Sequence, residues 1–321
     1  MNSLQPDDPR LTLDAIQAAQ VRIAPYVGPT PVVAMTPTGL QLKAESLHPV
    51  GAFKLRGAFN AILSLSQAER HRGVIAHSSG NHAQAVAYAA HALGIRAAVV
   101  MPGSVSRTKL EATRHWGADI HLVDPAGRER AAMCAKLARE QGYAVIEPYN
   151  SLAIMAGTGT IGLEILSQCP EVRVVTVPVS GGGLIGGISA ALVQSNPHIR
   201  VIGVEPELAA DARESFRAGR IVRIDPELTM RTMADGLRVP QLGELPFAQI
   251  RAFVHDIVTV SEDQIADAMR RIARQARLIA EPSGAVAAAG ALAQGFDPRT
   301  TVAILSGGNM DLDRYAAVLG G

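Results

Sequence analysis

Cysteine is nearly absent from this chain of 321 residues: only Cys134 and Cys169 carry thiols, and neither has a partner at metal-ligand or disulfide-framework spacing. A disulfide scaffold and a zinc-thiolate site are excluded, and two buried thiols in a reducing compartment are expected. Aromatic side chains make up only 4% of the residues and the net charge is +1. There are few rings on which bases could stack and no field to draw nucleic acid or an anionic membrane. No apolar run reaches membrane-spanning length, and Met1 to Arg10 carries prolines and aspartates where a secretory signal has a basic start and an apolar centre. A cytoplasmic protein with neither a nucleic-acid nor a membrane partner is expected. Long repeats, low-complexity tracts and flexible linkers are missing too.

What is present is a pattern of compact α/β type, with 48% hydrophobic and 18% charged residues. Thr12 is placed to cap a first helix, and Thr30 to Val33 and Leu40 to Ala44 read as short strands. Apolar runs follow at Gly73 to His77, Arg96 to Met101, Ile120 to Val123 and Tyr143 to Ile146, separated by alanine-rich helical segments. The alternation resumes at Val172 to Val179, Val201 to Val204, Ile257 to Val260 and Thr301 to Leu305, with Ser261 and Gln264 as a capping box for a helix running to Leu278. Apolar strands alternating with helices predict parallel sheets covered on both faces. The expected architecture is two doubly wound open sheets, residues 1–69 and 148–321 forming a large unit and 70–147 a smaller inserted one.

Ligands of open α/β sheets bind beyond the carboxyl ends of the strands, and four polar stretches fall there or beside it. In Pro49 to Ala58, Lys54 lies against Phe53 and Leu55 on a helix whose Leu55, Ala58, Phe59, Ile62 and Leu63 recur at helical spacing. Desolvation there disfavours the ammonium and prepares a nucleophile or base, whereas a lysine picked at random would only snorkel from a surface helix. Ser78-Ser79-Gly80-Asn81-His82 opens a helix and can take an anion at its N-terminus, or act simply as an N-cap. Ser180-Gly181-Gly182-Gly183-Leu184 can form a nest for a phosphate. Gly181, Gly183 and Gly186 also satisfy a dinucleotide fingerprint, with Glu205 at about the ~20-residue offset of a ribose-binding acid, so an NAD-dependent oxidoreductase is an alternative. Ser306-Gly307-Gly308-Asn309 is a strand exit. Glu205, the Ala209 carbonyl and Asp211 form a hard oxygen set suited to Mg²⁺ or Ca²⁺, or else acids placed for a helix dipole.

The run Glu45 to Ala58 resembles the cofactor-lysine motif of the serine/threonine dehydratase and serine racemase family of pyridoxal phosphate (PLP) enzymes, fold type II and tryptophan synthase beta-like. The loops follow in the same order over nearly the whole chain. The resemblance implies that Lys54, flanked by Phe53, holds PLP and then takes the Cα proton. It places the substrate carboxylate at Ser78, Ser79, Gly80, Asn81 and His82, with Asn81 also near the cofactor's ring hydroxyl and Ser79 on the face opposite Lys54. It implies phosphate binding by Ser180, Gly181, Gly182, Gly183 and Leu184, cofactor borders at Gly236 and Glu281, and Ser306 at the pyridine nitrogen. The racemase branch carries a divalent metal where Glu205, Ala209 and Asp211 stand.

A neutral hydroxyl at the ring nitrogen weakens the electron sink and favours β-elimination. The expected activity is dehydration and deamination of a β-hydroxy-α-amino acid, threonine or serine first and phenylserine close behind, by a homodimer with a small-molecule substrate. Amino-acid racemisation through Ser79 is the alternative within the family, and a non-catalytic amino-acid-binding regulator is a third reading. Relatives have a longer segment where Pro31 to Leu40 is compressed, and this stretch is expected at the active-site entrance, where it would open an apolar slot. A hydroxyaspartate substrate would need a cation, for which Arg128 and Arg130 are candidates in a helix start that reads as solvated.

Overall fold

A computed structural model describes residues 10–78, 80–105, 107–124 and 129–320. Among the described residues ten strands form where the apolar runs stand: β1 (Val32–Ala34), β2 (Gln41–Ala44), β3 (Val74–His77), β4 (Ala97–Pro102), β5 (Asp119–Val123), β6 (Ala144–Val145), β7 (Val174–Pro178), β8 (Arg200–Pro206), β9 (Asp256–Val260) and β10 (Thr301–Leu305). One sheet has the order β1-β2-β10-β7-β8-β9 and the other β5-β4-β3-β6. All neighbours pair in parallel except β1 with β2. Strands β4, β7 and β10 are buried at every residue, as strands covered by helices on both faces must be.

Helix Lys54–Ser64 lies between the two sheets. Its Leu55, Ala58, Phe59 and Ile62 join a core cluster with Val74, Ala76, Ala83, Val86 and Val99 of the second sheet and its helices. The apolar face was legible from spacing. The opposite face is also buried, which periodicity does not reveal: Arg56 and Asn60 are each only 1% exposed. Arg56 donates to both Glu45 carboxylate oxygens at 2.7 and 2.9 Å and to Glu164 at 2.5 and 2.9 Å. Asn60 reaches the Ala153 carbonyl at 2.6 Å. Polar partners thus bury a face that a hydrophobic count leaves in solvent.

Two other expectations are corrected. The helix capped by Ser261 and Gln264 ends at Arg271 and widens into a π-helical turn, Ile272–Ala276, before Arg277 turns left-handed at φ 60°. The Gln275 carbonyl accepts instead from Thr36 N (3.2 Å), and the chain runs out to bring Glu281 N onto the Gly307 carbonyl at 3.1 Å. Of the compressed Pro31 to Leu40 stretch, the Pro31 end reaches the carboxyl edge, its carbonyl accepting from Ala44 N at 3.0 Å with Val32 opposite Lys43, while the turn leading to Leu40 lies away from the loops that follow the strands. β2 runs parallel to β10 with Gln41 opposite Val302 and Ala44 opposite Leu305, so the turn before Gln41 sits at the amino edge, a strand's length from Ser306. It packs through Met35 and Leu40 into another core cluster.

Candidate active site

Lys54 opens its helix with Nζ donating to the Pro148 carbonyl at 2.7 Å and lying 5.1 Å from the Phe53 ring centroid. Burial lowers its pKa to about 8, as desolvation of an ammonium requires. One carbonyl and a ring face leave the amine with little to hold its proton.

The loop after β10 is stitched to the turn before Lys54. Phe53 N donates to the Ser306 carbonyl (3.0 Å), Gly308 N to the Gly51 carbonyl (2.9 Å), and Ala52 bridges Gly307. Ser306 is buried. The loop after β3 meets the same place from the other sheet: Asn81 Nδ2 donates to Glu281 Oε1 at 2.6 Å, and Asn309 Nδ2 donates to Asn81 Oδ1 at 2.9 Å. Burial, reinforced by Asp235, raises the Glu281 carboxyl to about 7. Gly236 N donates to Ser283 Oγ at 2.9 Å, in the first turn of helix Pro282–Gln294, which follows Glu281.

Helix Asn81–Ala92 begins beside Gly80, with the Ser78 hydroxyl accepting from Gly80 N at 3.2 Å. Ser79 lies outside the described residues. His82 is turned inward, its Nε2 on the Ile146 carbonyl at 2.9 Å; burial and the Lys54 charge lower its pKa to about 3, so the ring is neutral. Lys109 stands at the mouth, 3.6 Å from where a Gly80 side chain would begin, and pairs with Asp235 at 2.7 Å.

The glycine loop after β7 opens helix Gly183–Ser195, with Gly182 left-handed at φ 91°. A side chain on Gly181 would start 2.5 Å from the Tyr149 ring, and one on Gly183 would start 2.9 Å from Tyr149 Cα. Tyr149, which no motif singled out, therefore closes one side of the loop. The Ser180 hydroxyl is buried with no hydrogen-bond partner among the described residues. A partnerless hydroxyl beside the backbone N–H groups of a helix start fits a phosphate. Leu184 lies buried in the helix's first turn.

Glu205 does not serve as the ribose acid of a dinucleotide site. It is fully buried at the end of β8 and accepts from Ala212 N and Arg213 N at 3.1 and 2.8 Å. Asp211 is equally buried and both its carboxylate oxygens lack partners among the described residues. Burial raises both carboxyls, Asp211 to about 7, and the proximity of Asp211 adds to the rise at Glu205. Two buried acids with two orphaned oxygens fit a hard cation. Among the described residues no group of three or more His, Cys, Asp or Glu could hold a metal, so the third ligand there would be the buried Ala209's carbonyl.

A cavity of about 370 Å³ adjoins Lys54 through Pro148 and is lined by His77, Glu147, Tyr149, Asn150, Gln241 and Glu244 among others. Its walls are mostly polar. Burial lowers the His77 pKa, and the charge of Arg130 lowers it further. Arg130 is half-buried, not solvated as its sequence context suggested, while Arg128 lies outside the described residues.

A family profile described as "Pyridoxal-phosphate dependent enzyme" matches residues 23–307. L-threo-3-hydroxyaspartate ammonia-lyase of Saccharomyces cerevisiae is 40% identical over 316 residues, 96% of each chain. L-threonine ammonia-lyase of Thermotoga maritima is 39% identical over 96% of this chain and 78% of its own. The solved structure of maize serine racemase superposes with a TM-score of 0.90 at 38% identity, covering 97% of both chains. With the glycine nest, the desolvated lysine and this likeness along almost its whole length, the chain belongs to the pyridoxal-phosphate dependent enzyme family and is an α/β enzyme of fold type II that uses that cofactor.

Proposed function

We propose that the protein is an ammonia-lyase that converts a β-hydroxy-α-amino acid to a 2-oxo acid and ammonia; the water lost from Cβ is regained when the amine is released. The observation that carries this reading is Lys54, its pKa lowered to about 8 and its amine held by one carbonyl within the loop cluster around the partnerless Ser180 hydroxyl. Bound PLP supplies a carbonyl that captures amines and a ring that accepts the electrons left at Cα. Lys54 would hold the cofactor, and its freed amine would take the Cα proton. Ser180 to Leu184 would receive the phosphate, Asn81 would donate toward the ring hydroxyl, and Gly236 and Glu281 would border the ring. Ser306 would stand at the ring nitrogen of bound PLP, where a neutral hydroxyl would not stabilise a positive ring. Ser78, Ser79 and Gly80 take the substrate carboxylate; His82, turned to the Ile146 carbonyl, braces the loop from behind.

Serine or threonine is the favoured substrate, on the polar walls of the cavity that adjoins Lys54 through the Pro148 carbonyl. 3-Hydroxyaspartate is the second reading, favoured by the charge of Arg130 felt at His77. Racemisation through Ser79 is the competing activity. The chain is assigned to the cytoplasm, with two buried free thiols, and to a homodimer, which sedimentation would check. No helix among the described residues is long and apolar enough to cross a membrane. A divalent cation at Glu205, Ala209 and Asp211 has a structural role, fixing the segment after β8.

Borohydride reduction of the coloured enzyme followed by peptide mapping is expected to place a pyridoxyl group on Lys54; an unmodified Lys54 defeats the proposal. Incubation with L-serine, L-threonine and the 3-hydroxyaspartates is expected to release more 2-oxo acid than epimer. The opposite ratio makes racemisation the main activity.

A further inference from the structure

We propose that Asn309 is a positioning residue that, through the backbone carbonyl of Val50, dictates which way the Asn81 amide faces and so makes Asn81 a hydrogen-bond donor to the cofactor. An asparagine amide has a donor end and an acceptor end of nearly equal shape, and only its partners decide which end points where. Here the decision begins at a group that cannot be reversed. Val50 O can only accept, so the Asn309 end lying 2.7 Å away is Nδ2. The second Nδ2 hydrogen of Asn309 goes to Asn81 at 2.9 Å, which makes that end of Asn81 its Oδ1. Asn81 Nδ2 is therefore at the other end, where one hydrogen meets Glu281 Oε1 at 2.6 Å. One hydrogen remains for a ligand.

Two glycines make room for this chain of contacts. A Cβ on Gly51 would lie 2.3 Å from Asn309 Oδ1, and one on Gly307 would lie 2.2 Å from Glu281 Oε1. Glu281 cannot set the orientation alone. A carboxylate accepts, but a protonated carboxyl can also donate to Oδ1 of a reversed Asn81, and with Glu281 raised to about 7 both forms are present near neutrality. Asp235 and Lys109 face Glu281 with opposite effects on its charge. Asn309 has no proton to lose and holds the orientation at any pH.

The inference rests on the placement of the cofactor's ring hydroxyl at Asn81, and the test separates the two. Holoenzyme carrying Asn309→Ala or Asn309→Asp is compared with wild type by absorbance. The ratio of the visible to the near-ultraviolet cofactor band reports how far the ring oxygen is stabilised as an anion. Loss of one charge-assisted hydrogen bond predicts a change in that ratio of about ten-fold, with kcat reduced and KM little altered. In Asn309→Ala the ratio should also become pH-dependent near neutrality, and Asn309→Ser, which keeps one donor, should recover part of the wild-type spectrum. Wild-type ratios in both Asn309→Ala and Asn309→Asp, while Asn81→Ala shifts the spectrum, overturn the relay alone. If Asn81→Ala leaves the ratio unchanged as well, the cofactor placement falls with it. Should the Asn309 variants fail to fold, side-chain amide exchange in ¹⁵N-labelled wild-type holoenzyme decides: slow exchange of both Asn309 Nδ2 protons supports the relay, and fast exchange overturns it.

Discussion

Replacing Arg56 with methionine is the most demanding test of how the nucleophile is held. Arg56 stands two residues beyond Lys54 on the same helix, and its side chain is 1% exposed. Its guanidinium pairs with Glu45 and Glu164 and reaches Thr160 Oγ1 at 3.1 Å. Lys43, fully buried, donates to Glu164 and to the Thr30 carbonyl at 2.6 Å. Two cations balance two carboxylates, so Arg56→Met leaves one uncompensated negative charge in a closed site. Breaking a buried pair in this way costs about 3–5 kcal/mol, which at about 2 °C per kcal/mol lowers Tm by roughly 6–10 °C.

The loss has a pH signature. Burial pulls the Glu45 carboxyl upward, yet the charge of Arg56 and the contacts of His48 and Arg56 hold it well below the usual carboxylate range. A carboxyl depressed by folding stabilises above its unfolded pKa near 4.5 and loses that contribution as pH falls through the folded value. Without Arg56 that contribution disappears and Glu45 takes up a proton at higher pH. The deficit relative to wild type is then full at pH 7 and shrinks as pH approaches 4. Urea unfolding of both proteins at several pH values measures it. A deficit under about 1 kcal/mol at pH 7, or one that does not change with pH, refutes the reasoning.

Gly181→Ala should overpack the Tyr149 ring, costing about 1–3 kcal/mol and weakening PLP binding in fluorescence titration, and Tyr149→Ala in the same chain should recover part of the loss. Chelation should lower Tm and Mg²⁺ should restore it, with Asp211→Asn insensitive to both; no response, and no metal by elemental analysis, removes the cation site. Glu281, raised by folding from 4.5 to about 7, makes cofactor-free protein lose stability as pH climbs through that window, by about 3 kcal/mol in full. Glu281→Gln should lack this slope, so its stability relative to wild type rises toward alkaline pH; parallel pH profiles would contradict the raised carboxyl.

The strands were legible because burial on both faces demands uninterrupted Val, Ile and Ala, and that demand is written locally. The desolvation of Lys54 was legible from its sequence neighbours, of which Phe53 also lies against its amine in space. What stayed hidden depends on partners far along the chain. Arg56 is two residues from Lys54, but its burial is explained only by Glu164, and Tyr149 gains its place from Gly181. The fingerprint at Gly181, Gly183 and Gly186 mimics a dinucleotide loop because both uses need backbone N–H groups at a helix start. Only the inward turn of Glu205 onto Ala212 and Arg213 separates them. The compressed Pro31 to Leu40 stretch departs from expectation only in its second half, because β1 runs back from the carboxyl edge and carries the turn before Leu40 to the amino edge, a strand direction that spacing does not encode.

The notch at Gly51 ties two positions 258 residues apart into one heritable unit. Any side chain at 51 would displace the Asn309 amide, and its φ of 67° already disfavours one. A change at 309 leaves the Val50 carbonyl and Asn81 without their donor. A side chain at 51 requires the Asn309 amide to give way, so among diverging descendants of this chain a substitution at Gly51 should be found where Asn309 has changed as well. A lineage that carries a substitution at 51 alone should already have changed the colour of its cofactor.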